Sequence, residues 1–189
     1  MNEATKTYAL WPTWLRKIVD TGTGIDIGCG GCPITKTAVP FDVDQGDANH
    51  ILDFVDANRP FDFVFSSHCL EHMQDPVKCL RDWWQLVRPG GVLIVIVPDE
   101  DLYEQGIFPS IFNFDHKHTF TINKYVSWSP KSHNLFYLAN TLPCGEILHI
   151  AVQDHGYDRS RVIWGSPNTP DQTRSPDVLA QIECVVFKH

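Results

Sequence analysis

The chain has 189 residues, 43% hydrophobic, 20% charged and 12% aromatic, a globular profile too apolar for a disordered chain and long enough for one domain that buries about 70% of its unfolded surface without disulfide staples. Lys and Arg number 15 against 23 Asp and Glu, a net charge of -8, and the basic residues are scattered singly or in pairs, which argues against bulk nucleic-acid binding. The longest apolar run, Val92 to Val97 closed by Pro98, is far short of the roughly 20 residues of a membrane span. The opening MNEATKTYALWP has an early acid and no apolar signal core, so a cytoplasmic location is expected.

Pro12 opens an expected short helix whose Trp14, Leu15 and Ile18 share a face, and Gly22 to Gly24 end it before a strand at Ile25 to Ile27. Further short strands are expected at Val39 to Val43, His50 to Leu52 and Phe61 to Phe65. A helix from Asp75 or Pro76 to Val87 puts Val77, Leu80, Trp84 and Val87 at helical spacing, and Arg88-Pro89-Gly90-Gly91 stop it. The run VLIVIVP then reads as a central parallel strand covered on both faces, and strand-helix-strand order implies a right-handed crossover. A second helix is expected between Thr121 and Asn140, interrupted at Pro130, before closing strands at Ile147 to Gln153 and Ile182 to Phe187. The fold class is α/β. The chain reads as one domain, with a cofactor half to about residue 98, a substrate-lining segment over about 99–140 and closing strands over about 145–189.

In a doubly wound sheet, ligands bind at the carboxyl ends of the strands, where glycines admit close backbone approach. GIDIGCGGCP is such a turn, although G-x-G-x-x-G counted from Gly28 meets Gly30 and then Pro33, which departs from the dinucleotide fingerprint. A Gly-rich turn alone also serves as a purely structural turn. Asp42 ends the second strand, where a carboxylate accepts two hydrogen bonds from a ribose diol. Asp53 ends the third, within reach of an exocyclic amine.

The order IDIGCGG, VPFDVD, ILD, FDFVFSSHCLEH and LVRPGGVLIVIVP, over roughly Gly24 to Pro98, resembles the class I S-adenosylmethionine-dependent methyltransferases, particularly the compact type 11 group. The resemblance implies a Rossmann-like, doubly wound, mostly parallel seven-stranded sheet. It also implies that the loop of Asp26, Gly28, Cys29 and Gly30 wraps the methionine and ribose of S-adenosyl-L-methionine, that Asp42 holds the ribose and that Asp53 lies by the adenine. Ser66, Ser67 and His68 would face the transferable methyl. Only Gly28 to Thr37 separate the first two strands, about the minimum for a crossover, so the first helix must be shortened. Asp44 stays open as an alternative ribose ligand.

Two other patterns compete. HCLEH at His68 to His72 spells the inverted zinc-protease signature H-x-x-E-H, with Glu146 as a distant third ligand, which would make the chain a zinc hydrolase. That signature needs helical phase, and these residues follow a strand and meet Asp75-Pro76 soon after. No metal site is therefore expected. Cys29-Gly-Gly-Cys32 is the one close pair among six spread cysteines and could be a redox pair, but thioredoxin chemistry leaves the later strand unit and acids unexplained.

Methyl transfer from a sulfonium needs alignment of the nucleophile, plus a base when the nucleophile is a hydroxyl. The base candidates are His118 first, then His116, both in FDHKHTFT, with His68 as a further alternative. Equally, one of these histidines could merely cap the following helix. Asp99, Glu100, Asp101 and Glu104 make an acidic stretch, ordinarily a solvated face, which if functional favours a cationic or polyhydroxylic acceptor. Trp128, Tyr103 and Phe112 could supply flat surfaces for a sugar ring, though such aromatics are more often core. QDHGYD followed by DQT resembles, more loosely, methyltransferases of bacterial polysaccharide and sugar pathways. The expected activity is O-methylation of a small molecule or glycan, with a homodimer left open. An N-methyltransferase and a non-catalytic S-adenosylmethionine-binding protein are the alternatives.

Overall fold

The structure, a computed structural model, describes residues 3–189. Helix α1 (Glu3–Leu10) and helix α2 (Thr13–Thr21) are separated by Pro12, whose fixed φ and missing N–H suit a helix start. α2 buries Leu15 and Val19, one turn apart on one stripe. Trp14, expected on that face, is 43% exposed.

Among the described residues six strands form the main sheet: β1 (Gly24–Ile27), β2 (Ala38–Phe41), β3 (Phe61–Ser67), β4 (Val87–Pro98), and two later strands, β7 (Gly145–Gln153) and β8 (Gln181–Lys188). Two three-residue strands, β5 (Thr119–Thr121) and β6 (Ser132–Asn134), pair with each other apart from it. The main sheet runs β2-β1-β3-β4-β8-β7, with the first three pairings parallel and the last two antiparallel. This is the Rossmann-like α/β arrangement expected, with six strands where seven were anticipated.

The missing strand is the one placed at His50 to Leu52. Ala48–Asp53 forms 3-10 turns instead, because the Asp47 carboxylate caps them by accepting from the Asn49 N–H at 2.9 Å, and Ile51 is buried against Leu80 and Trp83 of the helix that follows. Helix α3 (Pro76–Gln85) is capped by Asp75, which accepts from the Lys78 N–H at 3.0 Å, and links β3 to its parallel neighbour β4. It buries Cys79, Leu80, Trp83 and Trp84. Val77 is only half-buried, and Val87 already belongs to β4.

The long helix expected over 121–140 is also replaced. Ser127, Ser132 and Lys124 turn their side chains onto buried Glu100, which competes with helical backbone bonding in this Ser-rich stretch. Only α4 (Leu135–Asn140) is helical, capped by Asn134. Between β1 and β2, residues 28–37 contain no helix. The face that a first helix would cover is covered by α1 and α2, where Trp11, Leu15 and Val19 pack on Phe63, Phe65, Ile94 and Ile96. The opposite face packs Ile25, Ile27, Val64, Leu93 and Val95 against Trp83 and Trp84 of α3. Alternate residues of each strand thus serve opposite layers.

Trp83 is fully buried, and its indole N–H donates to the Ala48 carbonyl at 3.2 Å, tying α3 to the 48–53 turns. Trp83→Ala should cost about 3–5 kcal/mol, roughly 10 °C in melting temperature. Thermal denaturation by circular dichroism measures this.

Candidate functional site

The carboxyl ends of β1, β2 and β3 lie together, and a cavity of about 560 Å³ opens beside them. Gly28 at the end of β1 and Asp42 at the end of β2 line it, with Asp47, Asn49, His68, Cys69 and Met73 among its other walls. Gly28 has φ of 80°, and a Cβ there would lie 2.6 Å from the Cys69 Cβ. Only glycine leaves the wall open at that point. Asp42 Oδ2 accepts from the Gly30 N–H at 2.7 Å, and its Oδ1 accepts from the Val43 N–H at 2.8 Å. That clamp holds the glycine turn against the end of β2.

The remaining expected residues are placed differently. Asp26 is buried within β1, where its Oδ2 accepts from the Ile34 N–H at 2.6 Å, supporting the loop from below the cavity. Burial pushes its carboxyl from 3.8 to about 7, the Ile34 N–H pulls it partly back, and the Asp42 charge adds to the rise. Ser66 donates to the Ile27 carbonyl at 3.0 Å inside the sheet, and the Ser67 hydroxyl is buried. Cys29 is buried, and Gly30 is exposed and not among the residues lining the cavity. Asp53 is exposed on the last 3-10 turn, outside the cavity, because the segment that was expected to be a strand coils before reaching it. Asp44 is exposed too and absent from the walls, which leaves Asp42 as the acid at this end of β2. Asp47 and Asn49, which the sequence reading did not single out, line the cavity instead, and the DQGD turn that ends at Asp47 was their sequence signal.

A second cavity of about 210 Å³ adjoins the first through His68 and His72, and is lined also by Glu71, Tyr103, Asn113, His116 and Thr173. His68 has φ of 53°, an uncommon backbone state for a non-glycine residue, and it turns the chain out of β3. Leu70–His72 then makes a single 3-10 turn, so HCLEH has no α-helical phase. The segment after β4 docks on that turn. Backbone N–H groups of Lys117 and His118 both donate to the Glu71 carbonyl, at 2.9 and 3.2 Å. This docking turns His116 inward and His118 outward. His118 lines neither cavity, since its Nε2 lies 3.3 Å from the Gln74 carbonyl and its Nδ1 lies 3.0 Å from His133 Nε2. Of the two histidines expected as bases, His116 lines the smaller cavity and His118, two residues away on an extended stretch, lines neither.

Glu71 is fully buried, and neither carboxylate oxygen has a hydrogen-bond partner among the described residues. Burial raises its carboxyl to about 7, with the His116 charge opposing. Burial lowers His68 to about 4 and also lowers His72. For His116 burial acts downward, but its hydrogen bond to Glu104 and the charges of Glu71 and Glu104 prevail and raise it. Glu71, His72 and His116 bring their ligand-type atoms within 4.8 Å of one another.

The acidic stretch is not a solvated face. Asp99, Glu100 and Glu104 are buried, and Glu100 accepts from Lys124 Nζ at 2.9 Å and the Ser127 hydroxyl at 2.8 Å. Trp128 donates to Asp101 at 2.9 Å, outside both cavities, whereas Tyr103 stands 5.2 Å from the His116 ring and lines the smaller one. Cys29 and Cys32 are unbonded, and burial raises the Cys29 thiol, the reverse of an activated redox cysteine. Among the described residues no helix is long and apolar enough to cross a membrane.

Residues 9–95 match the family described as a methyltransferase domain. Ajmaline N-methyltransferase of Rauvolfia serpentina is 31% identical over 108 residues, covering 43% of this chain. The chain spans only 35% of that curated relative's length. Among solved structures, the plantazolicin methyltransferase BamL, in complex with a triazolic desmethylPZN analog and SAH, aligns with a TM-score of 0.59 at 11% identity over 98% of this chain and 85% of its own. A SAM-dependent methyltransferase from Archaeoglobus fulgidus aligns with a TM-score of 0.54 at 13% identity, over 99% of this chain and 95% of its own. At these identities the likeness is one of fold.

The Asp26 carboxyl makes stability pH-dependent. Between its unfolded value of 3.8 and its folded value of about 7, the native state holds more protons than the unfolded one, so this contribution is full at low pH and is lost as pH rises through 7. Relative to Asp26→Asn, the native chain should therefore gain about 2–3 kcal/mol between pH 8 and pH 5. Urea titrations of both proteins at the two pH values test the sign and size.

Proposed function

We propose that this chain is a class I S-adenosylmethionine-dependent methyltransferase, which binds S-adenosyl-L-methionine in the larger cavity and transfers the methyl to an oxygen of a small polar acceptor seated in the smaller one. The observation that carries this reading is the junction of the two cavities at His68 and His72. One side offers a glycine-walled cleft with an acid at the strand end. The other offers buried proton-accepting groups a few ångströms further on.

In this reading Gly28 lets the cofactor approach the backbone, and Asp42 holds the ribose diol through the acceptor capacity left after its two loop contacts. Asp26 and Gly30 act as supports of the loop, and Ser66, Ser67 and Cys29 as packing around it. The acceptor oxygen attacks the sulfonium methyl in line, the C–S bond breaks as the O–C bond forms, and the thioether leaves. The acceptor's proton passes to the Glu71–His116 cluster. The smaller cavity falls below the roughly 300–1,000 Å³ of a whole-ligand pocket, which suits a single ring or one end of a larger molecule. Its polar lining of Asn113, Thr173, Tyr103 and the histidines supports a sugar hydroxyl as the acceptor. A second reading, transfer to a nitrogen of a small molecule, is favoured by the similarity to ajmaline N-methyltransferase over 43% of the chain. Screening hydroxyl and amine acceptors with labelled cofactor separates the two. Residues to about 98 would form the cofactor half and 99–140 the acceptor wall, with 145–189 closing the sheet.

S-adenosylhomocysteine should bind saturably by calorimetry and stabilise the fold by about 2.7 kcal/mol at a hundredfold excess over its Kd. Asp42→Ala should weaken that binding by about 1.5–3 kcal/mol. Saturable NAD binding with no binding of either sulfur compound would overturn the reading.

His116→Ala should lower turnover on the true acceptor by about 100-fold to 10,000-fold with the S-adenosylhomocysteine Kd nearly unchanged. His118→Ala, which removes a ring outside both cavities, should cost far less. Steady-state kinetics beside calorimetry reads both, and the reverse ranking would return the base to His118.

A further inference from the structure

Three imidazole nitrogens surround one buried carboxylate oxygen, and those of His72 and His116 also lie within 4.8 Å of each other. Glu71 Oε1 lies 3.7 Å from His68 Nδ1, 3.8 Å from His72 Nε2 and 3.8 Å from His116 Nε2. The far nitrogen of each ring is taken by an acceptor: Gln181 Oε1 at 3.1 Å for His68, Asp115 Oδ2 at 2.9 Å for His72, and Glu104 Oε1 at 2.6 Å for His116. Gln181 is oriented by its own amide, which donates to Gln153 Oε1 at 2.9 Å and Thr7 Oγ1 at 2.7 Å. With each outer nitrogen donating to its acceptor, the neutral form of each ring turns a lone pair toward Glu71.

Such a convergence, with both Glu71 oxygens buried and unpartnered, is costly without a positive charge at its centre. Hydrogen-bonded Glu–His pairs would close to about 2.7–3.2 Å, and these do not. Ligand atoms held about 2.0–2.2 Å from a tetrahedral ion stand about 3.4 Å apart, nearer the spacing observed. The acceptors behind the rings are the outer supports that orient metal-bound imidazoles. Imidazole donors suit zinc, iron and nickel rather than magnesium.

We propose that Glu71, His72 and His116 bind one divalent transition-metal ion of the zinc class, with His68 facing the same carboxylate oxygen and the fourth position open to the smaller cavity. The ligands are not those of an H-x-x-E-H helix. The 3-10 turn supplies two and the docked 115–118 segment supplies the third, which is why helical phase in the sequence pointed away from a metal. Resting on the methyl-transfer reading, the bound ion would replace the Glu71–His116 cluster as the group that activates the acceptor hydroxyl, whose proton would then leave to solvent in the cavity rather than to those side chains. The acceptor oxygen would then attack the sulfonium methyl as the C–S bond breaks.

The full chain, stripped with chelator and dialysed, is titrated with Zn²⁺ by calorimetry and with Co²⁺ by visible absorption, with Mg²⁺ as the control. One equivalent of Zn²⁺ should bind, Co²⁺ should give the intense visible bands of a four- or five-coordinate site, and Mg²⁺ should not compete. Glu71→Gln and His116→Ala should each weaken Zn²⁺ at least 100-fold, and both should still bind S-adenosylhomocysteine. Should either fail to fold, Glu104→Gln and Asp115→Asn remove only outer supports and should weaken Zn²⁺ by about 10-fold to 100-fold. Absence of saturable Zn²⁺ binding, or equal binding by the native chain and these variants, overturns the site. S-adenosylhomocysteine binding without Zn²⁺ binding would refute the ion alone, and the converse would refute the transfer reading alone.

Discussion

Val92 to Val97 carries no polar side chain on either face, and that constraint organises the molecule. A strand of this kind is stable only when both faces are covered. Leu93, Val95 and Val97 face the α3 layer, while Val92, Ile94 and Ile96 face the α1–α2 layer. Two covered faces require the chain to cross between layers, and parallel crossovers deliver the ends of β1, β2 and β3 to one edge. The loops leaving that edge build both cavities. A Gly28 turn, a 3-10 segment in place of a strand and a left-handed His68 are all ways of leaving the sheet where its apolar core stops.

The short link between β1 and β2 shows how the fold compensates for a lost element. Ten residues, 28–37, replace a crossover helix. The layer is completed instead by helices that precede the sheet in sequence, with Trp11 and Leu15 packed where that helix would lie. The link itself is held by polar contacts, Asp26 to the Ile34 N–H and Asp42 to the Gly30 N–H. A carboxylate within β1 and one at the end of β2 therefore shape the glycine loop before any ligand arrives. Preorganisation of that kind lowers the ordering cost of binding.

The second cavity depends on a different kind of contact, the seating of residues 115–118 on the turn after β3. Two backbone hydrogen bonds to the Glu71 carbonyl set which of two nearby histidines faces inward. Glu104, one turn past β4, then orients His116. Groups from four separate stretches, 68–72, 103–104, 113–116 and Gln181, meet around one carboxylate. Their mutual orientation is what gives the proposed acceptor site and the proposed ion site their chemistry.

Periodicity along the sequence determined much of the scaffold by itself. The apolar run of β4, the capped helix α3 and the closing strands β7 and β8 were all legible, because each satisfies its own local pattern of burial and capping. So were the glycine turn and Asp42, which stand at strand ends whose position follows from the pattern. What the sequence could not decide were segments whose conformation is set by distant partners. His50 to Leu52 coils because Asp47 and Trp83 hold it, and 121–134 abandons a helix because its serines and lysine answer to Glu100. The letters of HCLEH and FDHKH were visible, but whether they met, and with which histidine inward, was decided by backbone hydrogen bonds between segments more than 40 residues apart. Burial did the rest, since a carboxylate and three imidazoles acquire their character only once tertiary packing has removed them from water.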